Sequence, residues 1–267
     1  MGAKLAVIGA GNMGQALLAG ALRAGFQASD IVATTADVAA RAKLVEQFGV
    51  RVVLNNVEAV QDAQLVLLCV KPKDIPAVCT EIASSLRPDA VVISVAVGIS
   101  IDKLAENLPE QQPIIRAMPN TPAAIGAGVT AISAGDAVTP EALELAQRLL
   151  SGSGSVVIVP ETDQPAVGAI SGSGPAYVAY FIDALIEAGV QNGLTRIIAT
   201  ELAIQTFAGT ATMLAETGEH PALARERVTS PGGTTAAALQ ALDQAAVRAA
   251  ISNAVKAAIT KTKAIGG

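Results

Sequence analysis

The run Leu5-Ala-Val-Ile-Gly-Ala-Gly-Asn-Met-Gly14 constrains this chain more than any other stretch. An apolar, strand-like segment leads into three glycines spaced Gly9-x-Gly11-x-x-Gly14, and a helical pattern follows to Arg23. In a strand-to-helix turn of this kind Gly9 allows the reversal and Gly11 lets a ligand approach the backbone. Gly14 lets helix and strand lie close. The first N–H groups of the helix have no internal partners and suit a pyrophosphate. Asn12 is expected to help cap the helix. The pattern alone is weak; its place between a strand and a helix carries the reading.

Strand and helix signals then alternate. Strands are expected at residues 4–8, 31–33, 52–54, 65–70, 90–95, 113–118, 129–132 and 156–159. Helices are expected at 12–23, 38–48, 75–86, 101–107 and 140–151. Strands of near-continuous Val, Ile and Leu are buried on both faces, as in a parallel sheet. The fold class is therefore α/β, with a Rossmann-type doubly wound sheet over residues 1–160. Ser151-Gly-Ser-Gly-Ser155 reads either as a linker or as a tight turn before the last strand.

Beyond residue 160 the strand signal disappears. Helical patterns at 175–188, 195–215 and 242–265 make residues 161–267 an all-α C-terminal domain. In the first of these, Val178, Phe181, Ile182, Leu185 and Ile186 face several directions, and Asp183 and Glu187 mark its one wet face. Such a helix is expected to interleave with a second subunit. Composition agrees: 51% of residues are hydrophobic, and only 15% are charged to cover a surface.

The net charge of −5 comes without a basic block, which argues against nucleic-acid partners. Cys69 and Cys79 sit in apolar segments, as buried thiols in a reducing compartment do. Glycines interrupt the N-terminal apolar run where a signal peptide needs continuity. Gly168, Gly172, Gly174 and Pro175 likewise spoil residues 165–182 as a membrane helix. A cytoplasmic protein without membrane partners is expected.

A second anion cradle lies at Val228-Thr-Ser-Pro-Gly-Gly-Thr-Thr-Ala-Ala-Ala-Leu239. Ser230, Thr234 and Thr235 bring hydroxyls, Gly232 and Gly233 expose backbone, and a helix-forming run follows. Two cradles suggest a phosphate-bearing cofactor and a small acid. The second strand, Ile31-Val-Ala-Thr-Thr35, ends without the Asp or Glu that usually holds the ribose of NAD. Thr34 and Thr35 can donate to a 2′-phosphate, with Arg41 a turn further on, so NADPH is favoured and NADH is the alternative. Between Glu161 and Val255 there is no Lys or Cys and a single histidine, His220, read as a helix-start residue. Oxidising an alcohol needs a base, whereas a protonated imine already attracts hydride.

Taken with these residues, the chain resembles the pyrroline-5-carboxylate reductase family over nearly its whole length. The likeness rests on Ile8-Gly-Ala-Gly-Asn-Met-Gly14, Val70-Lys-Pro72, Arg116-Ala-Met-Pro-Asn-Thr-Pro122 and Ile170-Ser-Gly-Ser-Gly-Pro-Ala-Tyr177. It extends to Val228–Thr235, with Leu239 and Leu242-Asp243 behind. The resemblance implies reduction of 1-pyrroline-5-carboxylate to proline by NAD(P)H, and a homodimer that often assembles further. It implies that Gly9, Ala10, Gly11, Asn12, Met13 and Gly14 hold the pyrophosphate, that Thr34 and Thr35 meet the 2′-phosphate, and that Asn56 lies near the adenosine. Val70, Lys71, Pro72, Ala96 and Val97 would flank the cofactor, and Met118, Pro119 and Asn120 the nicotinamide. Ser230, Gly232, Gly233 and Thr234 would meet the substrate carboxylate, and Thr235, the catalytic candidate, the ring nitrogen. No metal is implied. Some relatives carry an acid just before the His-Pro pair; here Gly218 stands there, with Glu219 beside it. A 3-hydroxyacid dehydrogenase of the 6-phosphogluconate type is the other enzyme reading, and it lacks its expected Lys. A nicotinamide-binding sensor is the non-enzyme reading, and it has no need of the second cradle.

Overall fold

The computed structural model describes residues 4–266 and divides them into two compact units, residues 4–173 with 258–266, and residues 174–257. In the first unit eight strands form one sheet: β1 (Leu5–Ile8), β2 (Ile31–Thr34), β3 (Arg51–Val53), β4 (Leu65–Leu68), β5 (Val91–Ser94), β6 (Ile114–Met118), β7 (Gly128–Ala134) and β8 (Gly154–Ile158). Their order is β3-β2-β1-β4-β5-β6-β7-β8. The direction of succession reverses between β1 and β4, the place where doubly wound sheets open a crevice.

Every residue of β1, β4 and β5 is buried, as their unbroken apolar runs require. Successive side chains point to opposite faces. Leu5, Val7, Leu65 and Leu67 meet α1 (Asn12–Arg23) and α6 (Pro140–Ser151) through Leu17, Leu18, Leu149 and Leu150. On the other face Ala6, Ile8, Val66 and Leu68 meet α3 (Asn56–Val60), α4 (Ile75–Ile82) and α5 (Ile101–Ala105) through Val60, Val78, Ile82 and Leu104. Each fully buried Leu, Ile or Val is worth roughly 1.5–3 kcal/mol, so both faces contribute heavily to stability.

Local chemistry sets the helix ends. Asp37 caps α2 (Val38–Phe48) by accepting the Ala39 N–H at 2.8 Å, and Gly49 closes it in the left-handed conformation. Thr139 caps α6 ahead of Pro140. Two expectations are corrected nearby. Asn12 is the first helical residue of α1; the cap is Gly11, which makes no side-chain bond. The short helix α3 was not expected, although Asn55 caps it and accepts the Glu58 N–H.

Strand β7 runs antiparallel to β6, while all other pairs are parallel. The β6–β7 link holds only a short 3₁₀ turn, Thr121–Ile125, too brief for a parallel crossover. Helix α6 supplies the crossover that lets β8 lie parallel to β7. Ser151–Ser155 is a packed turn and not a linker. A Cβ on Gly152 would collide with the Gly20 carbonyl oxygen, and one on Gly154 (φ +132°) with that of Gly128. After β8, α7 (Gln164–Val167) leads into a π-helical turn, Gly168–Gly172, that ends the main run of the first unit.

The second unit is helical: α8 (Gly174–Gln191), α9 (Arg196–Thr217), α10 (Pro221–Arg227), α11 (Thr234–Gln244) and most of α12 (Val247–Gly266). Helices α8 and α9 pack closely: a Cβ on Gly189 would lie 3.1 Å from that of Ala199. Their shared core is small, with Ile186, Ala199 and Ala203 buried. Large apolar side chains stay exposed, among them Ile197 at 82% and Tyr180 at 73%. Helix α9 is long and apolar enough by composition to cross a membrane, yet it carries Arg196, Glu201 and Glu216.

The single helix expected over 242–265 is in fact two. Helix α11 closes through Ala245 N–H to Ala241 O, and Ala246 turns the chain with φ +54°. Non-glycine residues rarely adopt that conformation. Ala246→Gly is therefore expected to stabilise the protein by about 1 kcal/mol in denaturant unfolding; a loss of stability would show that the turn carries no strain.

Candidate functional site

At the carboxyl edge of the sheet, contacts from the two strands flanking β1 and from α1 hold the glycine turn. The Gly9 N–H donates to Thr34 Oγ1 at 3.1 Å, and the Ala10 N–H to the Thr34 carbonyl at 2.7 Å. On the other side the Cys69 N–H donates to the Ile8 carbonyl at 2.8 Å. Gln15 reaches back with its side-chain N–H to the Ala10 carbonyl at 3.0 Å. Gly9 has φ +91°, and a Cβ there would lie 2.8 Å from Val70 Cγ1. A Cβ on Gly14 would collide with the Gly9 carbonyl oxygen, whereas beside Gly11 the space is open. The three glycines thus serve three needs: a left-handed turn, an open approach and a close helix seat. With Gly11 as an uncapped N-cap, the first-turn N–H groups of α1 face that open approach. The cradle fits the pyrophosphate of a dinucleotide.

A shallow groove of about 280 Å³ lies along this turn. It gathers Gly9, Ala10, Gly11, Thr35, Val70 and Lys71 from the expected set. It adds Lys73, which sequence reasoning passed over although Lys71-Pro-Lys73 places a second cation one residue from Pro72. Thr34 stays out: it is 2% exposed, and its hydroxyl already serves Gly9. The outward hydroxyl at this strand end belongs to Thr35, which accepts the Asp37 N–H at 3.1 Å. Asp37, two residues beyond Thr35, is engaged in capping α2, and the groove's own acid is Asp74, beside Lys73. Asn56 lines neither this groove nor the cavity beside it, and donates to Glu81 Oε2 at 2.9 Å.

Cys69 and Val70 also line a deeper cavity of about 290 Å³. Met13, Pro72, Ala96, Val97, Met118, Pro119 and Asn120 from the expected set meet there, joined by Thr121 and Gly172. Asn120 is fixed by accepting the Val129 N–H at 2.9 Å, and Ala96 by donating to Ser94 Oγ at 3.3 Å. Beneath Met118, Arg116 pairs with Glu161 at 3.1 Å, and the same Glu161 oxygen accepts the Ile101 N–H at 2.8 Å. Among the described residues Cys69 is the only side chain lining this cavity with a titratable proton, and desolvation pushes its thiol up to about 12. The cavity walls therefore hold no charge near neutrality and offer no general base.

In the helical unit the second cradle has the expected form. His220 caps α10 by accepting the Ala222 N–H at Nδ1, 3.2 Å away. Thr229 Oγ1 donates to the Arg225 carbonyl at 2.6 Å, which ties the following turn to α10. Gly232 takes φ +67°, and Gly233 is the N-cap of α11, its N–H donating to the Ser230 carbonyl at 3.0 Å. A Cβ on Gly233 would collide with Ser230 Oγ, so only glycine lets that hydroxyl fold over the helix start. Thr234 and Thr235 occupy the first turn of α11, which lacks a side-chain cap. Thr234 is exposed and Thr235 half-buried. Nearby, Glu219 accepts Arg227 through Oε1. Hydroxyls and free N–H groups dominate this start, an arrangement suited to a carboxylate.

Comparison with known proteins agrees with both halves. Residues 161–265 match the model described as pyrroline-5-carboxylate reductase dimerisation. Residues 4–98 match that of an NADP oxidoreductase, coenzyme F420-dependent. The pyrroline-5-carboxylate reductase of Synechocystis is 42% identical over 268 residues, covering 100% of this chain and 99% of its own. The structure of the Coxiella burnetii enzyme superposes with a TM-score of 0.94 at 34% identity, covering 99% of each chain. That of Plasmodium falciparum pyrroline carboxylate reductase, with NADP bound, gives 0.89 at 30% identity and covers 99% of this chain and 98% of its own. A glycine cradle at one strand end, a hydroxyl cradle at a helix start and full-length similarity at this level place the chain in the pyrroline-5-carboxylate reductase family.

Proposed function

We propose that this protein reduces the C=N bond of 1-pyrroline-5-carboxylate to give L-proline, the last step of proline synthesis, with NADPH as donor. One observation carries the reading: the cavity beside the glycine cradle offers no ionisable base, only the neutral thiol of Cys69. Hydride transfer to an imine needs no base there, whereas alcohol oxidation does. When bound, a reduced nicotinamide would supply hydride to the ring carbon of the imine, and the ring nitrogen would end as the amine with one proton kept or gained.

The residues of this chain bind and orient. Gly9–Gly14 with the α1 N-terminus hold the pyrophosphate. Thr35, supported by Lys71 and Lys73, favours a 2′-phosphate, while Thr34 works from inside by fixing Gly9. Met118, Pro119 and Asn120 bound the space for the nicotinamide ring, together with Val70, Pro72, Ala96 and Val97. Ser230, Gly232, Gly233 and Thr234 take the substrate carboxylate, and Thr235 gives the hydrogen bond that orients the ring nitrogen. The exposed apolar side chains of α8 and α9 support a homodimer in which a second copy covers them. The bacterial relatives and this chemistry support a cytoplasmic setting.

Purified protein is expected to consume NADPH with 1-pyrroline-5-carboxylate and release proline, at a higher kcat/KM than with NADH. Absence of turnover while NADPH binds would defeat the reaction assigned, and a preference for NADH would defeat the role of Thr35. Thr235→Ala should lower kcat on the order of a hundredfold and leave NADPH affinity nearly unchanged; an unaltered kcat removes Thr235 from its role. Ile197→Asp places a charge on the face assigned to the partner. Sedimentation is expected to show a smaller species, and an unchanged mass would move the dimer contact away from α9.

A further inference from the structure

Met118 ends β6 and reaches into the 290 Å³ cavity, which Gly172 also lines. These two residues are far apart in sequence but touch in space. A Cβ on Gly172 would collide with Met118 Cε, and one on Gly168 would lie 3.6 Å from the same atom. Both glycines belong to the π-helical turn Gly168–Gly172, closed by the Ser173 N–H donating to the Gly168 carbonyl at 2.8 Å. Single π turns of this kind recur at functional sites. Here the wide turn lays bare backbone under the thioether, and the methyl rests where a side chain at 172 would sit.

We infer that Gly172 is a positioning residue that sets the depth of the cavity through Met118. The thioether end of methionine is flexible and yields readily. A methyl at 172 would therefore displace Met118 Cε and leave the backbone in place. Toward Gly168 the methyl has no more than the room of one absent Cβ. The larger free space beside it is the 290 Å³ cavity, which becomes shallower when the methyl enters it. The motif Ser171-Gly-Ser-Gly174 thus acts on the cavity without presenting a side chain to it. This rests on the reading above that the cavity takes the nicotinamide ring, and it assigns the glycine at 172 to that ring and not to the rest of the dinucleotide.

The test compares NADPH with 2′-phospho-ADP-ribose, which lacks the nicotinamide ring, by direct binding. Gly172→Ala should raise the Kd for NADPH on the order of tenfold, with a matching rise in KM, and leave the Kd of the ring-less compound unchanged. In a Met118→Ala background, Gly172→Ala should bring no further rise in the Kd for NADPH, because the methyl it would displace is gone. Equal weakening of both ligands, or a roughly tenfold further loss in the Met118→Ala background, overturns the inference. If Gly172→Ala alone does not fold, the double variant is expected to fold and bind NADPH as Met118→Ala does; its failure to fold overturns the inference as well. Met118→Phe separates the two layers. It fills the cavity directly, so normal NADPH binding by that variant removes the ring from the cavity. Weakened binding there, with Gly172→Ala behaving as wild type, overturns only the role of Gly172.

Discussion

The contact between Gly14 and the carbonyl oxygen of Gly9 governs the first unit. With no side chain at 14, α1 sits directly on its own turn, so its uncapped N-terminus meets the carboxyl ends of the strands. Thr34 secures the turn from β2 and Cys69 secures it from the end of β4. The strand order reverses between β1 and β4, so these supports flank the crevice. The groove and the cavity share Cys69 and Val70, and both take their shape from this seat.

Much of this is legible in the sequence where independent signals agree. Helices α1, α2 and α6 show an apolar period, and α2 and α6 also carry matching punctuation in Asp37 and Gly49, and in Thr139 and Pro140. Helix α3 carries a signal too, Asn55 with Glu58, but is too short for its period to register. The direction of β7 depends on the length of a connection and not on a local pattern. The break at Ala245-Ala246 involves neither Gly nor Pro and runs against the helix propensity of alanine, so no local signal marks it.

Among the site residues, the glycines and hydroxyls are legible because their chemistry is rare and their order along the chain is short. The inward turn of Thr34 is not, since its partner is an N–H on another strand. Lys73 hides beside Lys71 because lone lysines usually signify solvent. The meeting of Met118 with Gly172 is a long-range contact that only the folded chain reveals. The helical unit shows the reverse situation. Its sequence already reads as apolar on several faces, and the structure leaves those faces uncovered.

The uncharged cavity has a consequence for how the protein responds to its surroundings. Walls that do not titrate cannot impose a pH optimum of their own. The sole candidate, Cys69, keeps its proton until strongly alkaline conditions. For a cyclic imine bound there, the proposed reaction would take its pH response from the basicity of the ring nitrogen, while the protein surface at that point stays constant.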